Sequence, residues 1–127
     1  MKFSFNPQYG LVYVDAEVEG PTGTGSLLLT LDTGAGRSVI SLPKLLRIGY
    51  DPSQAVTQTT ATTASGMVSA PIIRVLRLKA LGQERTDLDI IGHSLPPTAS
   101  SDGLLGLDFL RGLTLTLDFC NGEIELV

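Results

Sequence analysis

A carboxylate on a tight turn, directly after a buried strand, is a compact way to deliver one acid to a cleft. Asp32 in Leu31-Asp32-Thr33-Gly34-Ala35 fits that pattern, because it follows the apolar run Leu27-Leu28-Leu29-Thr30-Leu31 and precedes a hydroxyl residue and a glycine. Proton transfer is the chemistry open to it. Peptide hydrolysis needs two such groups, since one must activate water while another protonates the scissile carbonyl oxygen or the leaving amine. The other Asp-Gly candidate, Asp102-Gly103, lacks the intervening hydroxyl residue, so one chain is short of a carboxylate. His93 has no nearby Cys and no second His, which makes metal binding an unexpected role for it. Asp87 and Asp89 alternate along a strand and read as a solvated face. Cys120 is the sole cysteine; it excludes an intrachain disulfide and suits a buried, inert thiol in a reducing compartment.

The elements that position Asp32 alternate with period two, the signature of half-buried strands. Leu11 to Glu19 reads as a strand, Gly20 to Gly25 as a turn, and Ser26 to Leu31 as the returning strand that carries the acid. Ser38 to Ser41, Met67 to Lys79, Thr86 to Ile91, Leu113 to Phe119 and Glu123 to Val127 are further strand candidates. Pro43 to Gly49 has room for one helical turn, and Leu107 to Gly112 reads as a short helix stopped by glycine. Asn121-Gly122 between two alternating runs predicts a two-residue hairpin turn near the C-terminus. The Thr- and Ala-rich stretch before Gly66 reads either as a small-residue surface loop or as a mobile hairpin turning near Ala64-Ser65-Gly66.

Composition narrows the classes. At 127 residues the chain suits one domain, residues 1–127, with a single core and no room for two lobes. With 43% hydrophobic and 17% charged residues it is globular rather than disordered. A net charge of −4 with dispersed Lys and Arg leaves no footprint for nucleic acid. The start lacks the apolar segment of a secretory signal, and no run approaches the ~18 apolar residues of a membrane span, so a soluble, cytoplasmic chain without membrane partners is expected.

A second element, Gly103-Leu104-Leu105-Gly106-Leu107-Asp108-Phe109-Leu110, follows Asp32 by about seventy residues. Together the two resemble the signature pair of retropepsin-like aspartic proteases. Viral members commonly carry an acid and an arginine where this chain has Gly36 and Leu107, so the likeness is to the cellular, bacterial and retroelement branches. Losing both halves of that ion pair together avoids a buried unpaired charge.

The resemblance implies an all-β, single-domain retropepsin fold with one short C-terminal helix and a flap hairpin. It also implies a C2 homodimer that pairs Asp32 with its mate at the axis. The expected activity is that of an aspartic endopeptidase on peptide or protein substrates, with no cofactor, metal or covalent intermediate. Thr33 would brace the pair across the axis. Gly34 and Ala35 would contact an extended substrate, and Leu104, Leu105 and Gly106 would support the acid's loop. Ser65, Gly66 and Met67 would touch substrate from the flap. Arg37 would stand near the cleft and favour acidic substrate side chains. Met1 to Phe5 and Glu123 to Val127 are candidate interface strands. The rival expectation is a weak or inactive peptide-binding module on the same fold.

Overall fold

In a computed structural model the chain is described over residues 1–55, 57–63 and 66–127. Its first strand, β1 (Lys2–Ser4), belongs to a small antiparallel sheet of order β1-β10-β9, with β9 at Leu115–Asp118 and β10 at Glu123–Leu126. The larger sheet contains β2 (Tyr13–Gly20), β3 (Gly23–Leu31), β4 (Val39–Ser41), β5 (Thr57–Thr63), β6 (Gly66–Ala80), β7 (Gln83–His93) and β8 (Gly103–Leu105). Its order is β2-β3-β8-β4-β7-β6-β5, and a further β2–β6 pairing closes β2, β3, β8, β4, β7 and β6 into a barrel. Two short helices, α1 (Leu42–Arg47) and α2 (Leu107–Leu110), pack at its margins. The architecture is all-β, with α1 as a second helix beside the C-terminal one.

Cross-strand register separates two faces. Tyr13, Thr30, Leu104, Val39, Ile91, Ile72 and Thr57 are successive Cα partners across the sheet. Adjacent positions in the same strands, Val14, Leu29, Leu105, Ile40, Ile90 and Ile73, are buried in the core. Because strand side chains alternate faces, the first row looks outward from the barrel while the second fills it. Leu45 of α1 and Phe109 of α2, both fully buried, complete the core.

Several connections differ from the expected ones. The β2–β3 turn is only Pro21-Thr22, because Gly20 pairs with Gly23 and the strands continue through the glycines. The β6–β7 hairpin turns on Leu81-Gly82, both at positive φ, so a leucine takes a conformation usually left to Gly or Asn. The C-terminal hairpin is present, yet its loop is Phe119 to Gly122 rather than Asn121-Gly122 alone. Asp118 explains the longer loop: its Oδ1 accepts from the amides of Cys120 (2.9 Å) and Asn121 (3.0 Å), and Oδ2 from Asn121 Nδ2 (2.8 Å). Cys120 is exposed in this loop, not buried. Strand β10 pairs on both edges, with β1 and β9, so only β1 among the expected terminal interface strands keeps an outer edge in the single chain.

The bonds from Asn121 and Cys120 hold the Asp118 carboxyl below the usual carboxylate range. A depressed folded-state value means the stabilisation is present above the unfolded pKa and disappears as pH falls through the folded value. Asp118→Ala should therefore be less stable than wild type at about pH 6, with the gap narrowing as pH falls below about 4, the ordinary carboxylate value. Thermal melts of both proteins across that range check this; a constant gap would contradict it.

Gly103 opens β8 with φ +154°, and a Cβ there would lie 1.9 Å from the carbonyl oxygen of Val39. Backbone cannot yield as a side-chain tip can. Gly103→Ala should cost about 3 kcal/mol or more in a denaturant titration, through overpacking and an unfavourable φ together. A loss below about 1 kcal/mol would show that β4 moves aside freely.

Candidate active site

Asp32 leaves the end of β3 half-buried, at the point where that strand runs parallel to β8. Its amide donates to the carbonyl of Leu105 (2.9 Å), which extends the β3–β8 ladder by one residue. Its Oδ1 accepts from the Gly34 amide (2.8 Å), and its carbonyl accepts from Ala35 N (3.2 Å), so the chain reverses around its own carboxylate. Thr33 and Gly34 are exposed at the tip of this turn.

A second set of bonds fixes the returning limb. The Ala35 carbonyl accepts from Leu107 N (2.8 Å). A Cβ at Gly106 would lie 2.7 Å from the Ala35 carbonyl oxygen, so the two backbones can approach this closely only at a glycine. Ser38 is fully buried; its hydroxyl donates to Asp108 Oδ1 (2.7 Å) and accepts from Gly106 N (2.9 Å), while its amide donates to Asp108 Oδ2 (2.9 Å). One carboxylate and one hydroxyl therefore lock the Asp32 loop to the start of α2. Sequence reading passed over both residues. The available signal was Asp108 itself, an acid inside the apolar run Leu104 to Leu110 that needs a partner if it is drawn inward.

A cavity of about 560 Å³ opens beside the acid. Asp32, Thr30, Leu104, Val39 and Ile91 form one side, the outward row of the barrel, and residues of the β7–β8 connection form the other. His93 also lines it, from the end of β7. The arrangement presents a carboxylate at the edge of an apolar groove.

Other expected site residues lie elsewhere. Arg37 is exposed, donates from Nη1 to the Asp89 carbonyl (3.0 Å), and does not line the cavity. Arg74 grips the Asp89 carboxylate at 2.8 and 3.1 Å, and this pairing holds the Asp89 carboxyl below its ordinary range. Asp89 is thus ion-paired rather than part of a solvated acidic face. Strands β5 and β6 form a hairpin ladder through Thr62↔Met67 and Thr63↔Gly66, with Met67 72% exposed. Gly66 and Met67 do not line the cavity; Ser65 and the expected turn at Ala64-Ser65 lie outside the described residues. Among the described residues no group of His, Cys, Asp and Glu could hold a metal ion, and no helix is long and apolar enough to cross a membrane.

Residues 15–112, which contain both the Asp32 turn and the Leu104 to Gly106 element, match the family model described as "gag-polyprotein putative aspartyl protease". The chain belongs to the retropepsin-like aspartic protease family. Its fold is similar to that in the crystal structure of a retropepsin-like aspartic protease from Rickettsia conorii, with a TM-score of 0.72 over 99% of this chain and 88% of that one. Identity between the two is 20%, so the likeness is one of fold. No curated protein matches the sequence. Within this retropepsin-like chain, the matched residues include the Asp32-Thr33-Gly34 turn described above.

Proposed function

We propose that the chain is an aspartic endopeptidase whose active form is a homodimer, with the two Asp32 carboxylates facing each other across the twofold axis. The observation that carries this reading is the placement of Asp32, on a doubly clamped turn at the edge of an apolar groove. Two carboxylates held close together do not readily both ionise, so they share a proton. One then draws a proton from the attacking water while the other protonates the scissile carbonyl oxygen, and the roles exchange as the amine leaves. Any pKa values seen in a rate profile belong to the pair.

Gly34 and Ala35 would hydrogen-bond an extended peptide, and Thr33, at the exposed tip, would brace the two turns across the axis. Leu104, Leu105 and Gly106 support the loop from beneath. The β5–β6 hairpin, with Gly66 and Met67, would close over bound peptide. Arg37 would act on substrate acids only after leaving its bond to Asp89. Cleavage of a diverse peptide pool across protein concentration tests the proposal. Specific activity should rise with concentration as dimer forms, and a demonstrably dimeric protein that cuts nothing would overturn it.

A further inference from the structure

Strand β6 is shared between two structures. Arg77 to Ala80 pair with β2 and close the barrel, whereas Gly66 to Ile72 pair with β5 and form the long hairpin. Between them, Ile73 to Val75 keep β7 on one edge and have no strand on the other among the described residues, and Leu76 is in register with no strand at all. Asp87, which would face Leu76 from β7, lies at φ +51°, uncommon for a residue other than glycine, so the ladder is interrupted on both strands. The Leu76 amide donates instead to the Tyr50 hydroxyl at 2.8 Å. That hydroxyl donates in turn to the carbonyl of Glu19, the last residue of β2 in register with β6. A hydroxyl both accepts and donates, so one oxygen spans the gap that the two strands leave open. Tyr50 is itself fixed: its amide donates to the Leu45 carbonyl (3.1 Å), and the Ile48 carbonyl accepts from Thr22 N (3.0 Å). The open stretch of edge borders a cavity of about 340 Å³, lined by Pro21, Tyr50, Gln54, Ala55, Ile73 and Arg74 among others.

We propose that Tyr50 is a positioning residue, a clamp that fixes the base of the β5–β6 hairpin and thereby where its far end lies over bound peptide. The claim rests on the peptidase reading above, in which that hairpin closes over substrate, and goes beyond it by naming what holds the hairpin's base. Both arms leave the barrel here. Tyr50 leads through Asp51 and the 3-10 turn Pro52–Gln54 to β5, which begins at Thr57, while its hydroxyl holds β6 at Leu76. Asp51 stiffens that route by accepting at Oδ1 from the Ser53 amide (3.0 Å) and hydroxyl (2.6 Å). Past Ile72 the hairpin has no neighbouring strand besides its own two arms among the described residues. Gly66 to Pro71 extend for about 20 Å at ~3.3 Å per residue, so a tilt of roughly 10° at the base carries the end through about 3 Å. Small movements at Leu76 are therefore magnified at Gly66. Strand β7 guides one edge of the base, where Arg74 pairs with Asp89, and Tyr50 settles the other. The cavity beside Ile73 and Arg74 gives that second edge room to tilt once the clamp is gone.

Tyr50→Phe removes one oxygen, keeps the ring, and is the variant that tests this. In the unliganded protein, amide hydrogen exchange followed by NMR should quicken roughly 10-fold or more at Leu76 and along the β5–β6 pairs, while the β9–β10 pairs keep wild-type rates. With a peptide from the pool that wild type cleaves, KM should rise roughly 10-fold and kcat change by less than about 2-fold, because a covering hairpin binds substrate and transition state alike. A variant that is merely part-unfolded gives the reverse, a lower kcat with KM unchanged. Peptide bound to Asp32→Asn should dissociate roughly 10-fold faster when Tyr50→Phe is added, with little change in association. Unchanged exchange at Leu76 would overturn the inference. So would faster exchange with KM and dissociation at wild-type values, since Tyr50 would then brace the barrel alone. If wild type cuts nothing yet Tyr50→Phe speeds release of bound peptide, the peptidase reading fails and the clamp stands. If wild type cuts while exchange, KM and release all stay the same, the clamp fails and the peptidase reading stands. Peptides neither cut nor bound would defeat both.

Discussion

Asp32→Asn should abolish peptide hydrolysis, lowering kcat by roughly 10³-fold or more, while leaving melting temperature within the small range expected of a non-core isosteric change. The amide keeps an oxygen for the Gly34 N–H, so the turn that Oδ1 organises in the wild type survives. What disappears is a group that can exchange a proton with water. The proposed dimer adds a sharper expectation. When wild type and Asp32→Asn are mixed at a fixed total concentration and allowed to exchange subunits, only dimers with two intact carboxylates work. Activity should follow the square of the wild-type fraction, falling to about one quarter at equal mixture. A linear dependence would mean that each subunit acts alone, and the shared-proton mechanism would have to be abandoned.

The second large effect is expected at Asp108, which touches no reacting atom. Asp108→Ala takes away the acceptors for both the amide and the hydroxyl of Ser38, a residue with 0% exposure, and frees the limb that returns from Asp32 to β4. Bonds to a charged acceptor contribute about 1.5–3 kcal/mol each, and buried donors left unpaired cost a comparable amount. We expect a loss of roughly 3 kcal/mol and a fall in Tm on the order of 10 °C. Activity should fall further than stability explains, by roughly 10²-fold under fully folded conditions, because small displacements of a catalytic group are expensive. Asp108→Asn should recover part of both losses, since its amide can still meet Ser38 with one acceptor and one donor. Equal damage from the Ala and Asn variants would show that charge, not bonding geometry, is what the loop requires. Full activity in Asp108→Ala would mean that the Asp32 turn holds itself.

Much of the barrel was legible because its cause is local. Leu27 to Leu31 announces a strand by its apolar run, and Met67 to Lys79 and Glu123 to Val127 by alternation, wherever their partners are. Turns were read less well where tertiary contacts override dipeptide preference. Asn121-Gly122 has the chemistry of a two-residue turn, yet the Asp118 carboxylate gathers two amides beyond it and stabilises a longer loop. Leu81 sits at positive φ because β6 and β7 pair right up to Ala80 and Gln83, leaving two residues for the reversal.

The sequence by itself determined that the chain is all-β, that Asp32 ends a buried strand on a glycine turn, and that Leu104 to Gly106 is its companion element, because apolar periodicity and turn chemistry act over a few residues. Only the tertiary structure decided what surrounds that acid. Ser38 meets Asp108 across seventy positions, Tyr13 meets Ser100 across eighty-seven, and Arg37 turns to Asp89 rather than lining the groove. Those contacts depend on how the closed barrel brings β3, β8, β4 and β7 side by side, and long-range register leaves no mark on neighbouring residues from which it could be read.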